Sequence, residues 1–152
     1  MFKYIITAIV ILSLMPLSAS SGSSGTALNG KEIKALVSGN TAEGHRLKQG
    51  KGMDIFVQKK IMFRTYFAAN GKIVEKSDAS GKDSVGHIAA HGKWTIKKKK
   101  LCVTYADSRD TPGKKRCYKV TSKNNGTYEL YLKDTLNRTW DRVVPGNPHG
   151  LE

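Results

Sequence analysis

From Asn40 onward the chain is cut by recurring turn signals into short segments of β type, and this punctuation limits the fold more than any other feature. In IMFRTYF (61–67) the apolar residues alternate, so that Ile61, Phe63 and Phe67 share one face, and Asn70-Gly71 then gives a type I′ turn signal before KIVEK. A loop rich in Ser, Gly and Asp from Ser77 to Gly86 leads into HIAAHGKWTI, four lysines, LCVTYA and the turn DSRDTPG. RCYKVTS, the turn KNNG and TYELYLKD make another hairpin, and NRTWDRVV completes the series. With an earlier strand near Asp54 to Gln58, the sequence predicts seven or eight strands. Strands that follow one another through short turns form an antiparallel meander, which hides its edges by closing into a small barrel or folding into a sandwich. The expected class is mainly β, with the barrel favoured.

One helix is expected ahead of the strands. In LNGKEIKALVSGN, Asn29 is placed as an N-cap with Glu32 three residues later, Ile33, Leu36 and Val37 form one stripe, and Gly39 is placed to end the helix. It should lie against the mouth or side of the barrel.

Residues 1–20, MFKYIITAIVILSLMPLSAS, have a lysine near the start, an apolar stretch from Ile5 to Leu17 and small residues after it. That stretch is shorter than the roughly 20 residues a membrane-spanning helix needs, so it reads as a signal peptide for a periplasmic or secreted protein with no transmembrane segment. Residues 21–27 are expected to be a flexible leader, 28–145 a single β domain, and 146–152 a tail.

An oxidising destination gives the two cysteines a meaning. Fourteen residues lie between Cys102 and Cys117, which suits neither C-x-x-C redox chemistry nor a clustered zinc site, so a structural disulfide is expected. In a regular hairpin that bond sets Leu101 opposite Tyr118, Val103 opposite Arg116 and Lys100 opposite Lys119. Leu101, Val103, Tyr118 and Val120 then face the core, while both cysteines lie on the polar face with Thr104, Lys115 and Lys119. Trp94 and Trp140 are expected as core or barrel-end aromatics; lining an interior pocket is the alternative.

With 26 Lys and Arg against 12 Asp and Glu, the chain carries +14, and only Lys3 leaves with the signal segment. Such a charge favours anionic partners: an envelope component such as lipid head groups or acidic polysaccharide, or an acidic protein. Because turns alternate between the two ends of a meander, those at Asn70-Gly71, Lys97–Lys100 and Lys123–Gly126 should share one end. That end would gather Lys72, Lys97, Lys98, Lys99, Lys100 and Lys123 as a candidate anion-binding rim; a solvated turn that blocks edge aggregation is the plainer alternative. The opposite end mixes Asp107, Arg109, Asp110, Lys114, Lys115 and Asp134. Aromatics are not interleaved with the lysines as stacking platforms for single strands, so nucleic acid is not an expected partner.

Catalytic patterns are missing. No G-x-S-x-G or P-loop occurs, and nothing pairs two of the acids expected on strands, Asp54, Glu75, Glu129 and Asp141. His87 and His91 would lie about 13 Å apart on an extended strand, too far to share an ion. His45 and His149 stand alone in the sequence. Asn125 and Asn137 begin glycosylation sequons, both in turns. No metal or cofactor is therefore expected, and the reading leans away from an enzyme without excluding one.

EIKALVSGNT (32–41), YFAANGKI (66–73), GKWTI (92–96), Leu101-Cys102 and CYKV (117–120) occur in an order that resembles a family of small exported bacterial proteins whose domain has no assigned function. The resemblance implies a periplasmic or secreted one-domain β protein and supplies no activity or site; the lysine run lies outside the shared pattern. The expected function is a non-enzymatic binding or interaction module. The alternatives are a carrier with an interior pocket, an envelope enzyme or inhibitor, and an envelope structural protein.

Overall fold

The computed structural model describes residues 25–49, 58–78, 88–107 and 112–151. The signal segment, most of the leader, Asp54 to Val57 of the strand expected near there, most of the loop to Gly86, His87, and Arg109 and Asp110 lie outside the described residues.

The chain runs β1 (Thr26–Ala27), α1 (Gly30–Val37), β2 (Asn40–Gln49), β3 (Gln58–Phe67), β4 (Lys72–Ser77), β5 (Ile88–Lys97), β6 (Lys100–Tyr105), β7 (Lys115–Ser122), β8 (Tyr128–Leu132) and β9 (Thr135–Pro145). Each strand from β2 to β9 pairs antiparallel with the next, and β9 pairs back onto β2, which closes an eight-stranded up-and-down barrel. β1 is an extra strand. It takes Thr121 and Ser122 of β7, beyond the point where β6 stops at Tyr118.

Closure places three connections at one end: the β3–β4 turn, the β5–β6 turn and the β7–β8 turn. There α1 acts as a plug. Asn29 accepts from the backbone N–H groups of Lys31 and Glu32, while Glu32 accepts from the N–H of Asn29, so the expected capping box is formed. Ile33 and Val37 are fully buried with Phe67, Ile73, Trp94, Leu101, Val120 and Trp140. Gly39, at φ 76°, turns the chain out of the helix and into the barrel wall.

Several details depart from the sequence reading. The strand after the helix is Asn40–Gln49, which alternation does not reveal because its inward positions include Ala42, Gly44 and Arg46 rather than large apolar residues. The Asn70-Gly71 turn is not type I′. The Gly71 N–H donates to the carbonyl of Ala68, and Gly71 alone of the loop has positive φ, the three-residue geometry of a type I turn followed by a left-handed glycine. A two-residue loop with both residues at positive φ occurs instead at Lys133-Asp134. Beyond Pro145 the chain folds back: Thr41 donates to the carbonyl of Gly146, Asn147 bonds both backbone groups of Leu151, and Leu151 is buried.

The seam between β2 and β9 carries a register shift after Glu43, where the backbones come so close that a Cβ on Gly44 would stand 2.0 Å from the carbonyl oxygen of Thr139. Glycine is required there.

Candidate functional site

The register between β6 and β7 governs the outer wall. Leu101 opposes Tyr118, Cys102 opposes Cys117 and Val103 opposes Arg116, as the cysteine spacing predicts, with the two sulfurs 2.09 Å apart. Leu101, Val103, Tyr118 and Val120 enter the core, so alternation sends Cys102, Cys117 and Lys119 outward. On β5 and β6 the same alternation, with Thr95 opposite Cys102, sends Lys97 and Lys100 outward too.

The expected pairing of Lys100 with Lys119 is not formed. The β6–β7 ladder ends at Leu101 and Tyr118, because the N-terminal segment takes over the edge of β7: the Leu28 N–H donates to the Val120 carbonyl at 2.9 Å, and Ala27 and Thr26 continue the pairing. Between the parted strands lies an open groove of about 670 Å³. Its floor includes Cys102 and Cys117, one wall is Ala27 to Asn29, and the other is the four-lysine turn, with Lys119 at the margin. Cys102 faces outward from the barrel yet is only 2 % exposed.

No carboxylate lines the groove among the described residues. Glu32, the nearest acid in sequence, is engaged at 2.7 Å by the Asn29 N–H. None of Lys97, Lys98, Lys99, Lys100 and Lys119 joins an ion pair among the described residues. The hairpin that carries four of them breaks two local rules. Lys97 lies directly opposite Lys100, a cross-strand pairing of like charges, and Lys98 has φ 57°, a conformation that glycine or asparagine tolerates better.

The other two rim candidates lie apart. Lys123 borders a second depression, of about 360 Å³, with Thr121 and Tyr131, and is bonded to Glu129 at 3.0 Å. Lys72 opposes Lys93 and lines neither hollow. Lys119 belongs to the groove but was not among the rim candidates, although the cysteine register already placed it on the face of Cys117.

Both tryptophans sit in the core. The Trp94 indole N–H donates to the Ala68 carbonyl at 2.9 Å and its ring meets Phe67 edge on; Trp140 packs between Phe67 and Tyr128. Neither lines the groove.

A polar cluster inside the barrel could not be found from sequence spacing. One oxygen of Glu75 accepts from Thr65 at 3.0 Å, Tyr105 at 2.7 Å and Arg138 at 2.7 Å, drawing on β3, β4, β6 and β9. The Arg138 guanidinium also stacks over Phe63 at 4.8 Å. Burial works to raise the Glu75 pKa, but the charge and hydrogen bond of Arg138 and the Tyr105 hydroxyl outweigh it and hold the carboxyl below its ordinary range. Burial, then the Glu75 charge, push the Tyr105 phenol well above its usual value. This is an ion pair in a protein interior.

The described histidines each meet a carboxylate. His45 faces Asp141 at 3.0 Å, His91 faces Asp107 at 2.7 Å, and His149 reaches Glu43 at 2.5 Å, so His45 and His149 are not isolated. No group of three metal-type ligands occurs among the described residues, and no described helix is long and apolar enough to cross a membrane.

Comparison of the chain with protein-family models, curated proteins and solved structures returns no match.

Proposed function

We propose that this chain is an exported, non-enzymatic binding module that engages an anionic partner through the lysine groove at the helix-plugged end of the barrel. One observation carries the reading: five lysines converge on a single groove in which no acid occurs among the described residues, and two of them, Lys97 and Lys100, face each other across a hairpin as like charges. Local rules are broken most often where function demands it, and an anion seated among the lysines would relieve their mutual repulsion. Export rests on residues 1–20 and on a cysteine pair suited to an oxidising compartment. The partner is an envelope component or an acidic protein.

Retention on an anionic matrix as a function of salt tests this. Replacing Lys97, Lys98, Lys99 and Lys100 together by Gln should release the protein at clearly lower salt than replacing the same number of lysines elsewhere, for example Lys72, Lys114, Lys115 and Lys133. Equal losses for the two sets would reject the groove.

A further inference from the structure

The groove is not simply a patch of charge. Its floor is the disulfide, one wall is Ala27 and Leu28, and the aliphatic stems of the flanking lysines extend that apolar surface to the charged rim. Leu28 is half-buried, packs against the core and also lines the groove. The volume lies within the range of about 300 to 1,000 Å³ common to small-ligand sites. A bare inorganic anion would use the lysines and leave the floor wet. An uncharged chain would use the floor and leave five cations uncompensated.

Resting on the anionic reading above, we propose that the ligand is a single-chain anionic amphiphile of the fatty-acid type, its carboxylate held by the Lys97–Lys100 turn and Lys119, its alkyl chain laid over Leu28 and the disulfide. The barrel would therefore carry its ligand on the outer wall. Among the described residues, the aromatic core occupies the plugged end of the interior and the Glu75–Arg138 cluster lies farther down.

The test is a titration of the protein, as the cell exports it, with laurate below its micelle concentration, followed by amide chemical shifts. Saturable binding is expected, with the largest shifts at Leu28, at 97–100 and at 117–119. Acetate, an anion without a chain, and dodecyl maltoside, a chain without an anion, should each bind at least about tenfold more weakly. Because Leu28 also supports the fold, the primary variant is Ala27→Glu, at an exposed position, which sets a carboxylate in the wall; it should weaken laurate about tenfold or more with an unchanged unfolding midpoint. Leu28→Gln should act in the same direction.

Acetate binding as tightly as laurate, with both lost in the four-lysine variant, would overturn the amphiphile and leave the anionic groove standing. Maltoside binding as tightly as laurate would also overturn it, as would laurate shifts centred on the barrel interior. Binding only to anionic phospholipid vesicles, with none to monomeric laurate, would replace it with a membrane surface. Loss of both laurate binding and lysine-specific matrix retention would reject the proposal together with the reading beneath it.

Discussion

Glu75 and Arg138 show how one residue pair can control a whole interior. Removing one partner leaves an uncompensated buried charge, so Arg138→Met should cost about 3 to 5 kcal/mol in urea unfolding, while the double replacement Glu75→Leu, Arg138→Met should recover much of that loss. A cycle in which the two single costs simply add would show that the ion pair is not coupled. The pH dependence follows from the depressed carboxyl. Glu75 titrates lower in the folded state than its ordinary 4.5, so its contribution is fully present above that pH and is lost as pH falls through the folded value. Glu43 behaves in the same way, because His149 and Arg142 overcome its partial burial. The unfolding midpoint should therefore drop in acid below about pH 4.5, and less steeply in Glu75→Gln. Lys98 offers the opposite lesson. Relief of its left-handed backbone should let Lys98→Gly gain up to about 1 kcal/mol, even as the groove loses one of its cations. An unchanged or lower urea midpoint for Lys98→Gly would mean that the turn is not strained.

Among elements, legibility followed chemistry that acts over a few residues. The capping box from Asn29 to Glu32 and the facing of Cys102 and Cys117 depend on spacing alone, and both are found where the sequence places them. β2 was not legible as a strand because its inward face is made of small and charged residues, a pattern that has meaning only once Trp140 and Phe63 lie beside it. The groove was half legible. Its lysines and its outward-facing cysteines follow from the register, but the parting of β6 from β7 depends on a two-residue strand too short to announce itself. Glu75 and Arg138 are 63 positions apart and meet only in a closed ring. The disulfide clips a hairpin within an already paired sheet, so Cys102→Ser with Cys117→Ser should cost roughly 3 kcal/mol in the chain-entropy account and leave the far-ultraviolet spectrum unchanged.

At the scale of the molecule, the barrel is a ring with one seam. Seven of its strand pairings join neighbours in sequence, whereas the eighth sets Thr41 beside Val144 and Ala42 beside Val143. Loop entropy is recovered early for the hairpins and late for the seam, so the meander should assemble first and the ring should shut last. Until it shuts, β2 and β9 each present an open edge, the state most exposed to intermolecular pairing. The tight contact at Gly44 lies in that final step. Gly44→Ala should therefore slow refolding and raise the aggregated fraction on dilution from urea, beyond what its loss of stability alone would produce. For a chain of this topology, the hazardous interval is the lifetime of an unclosed ring.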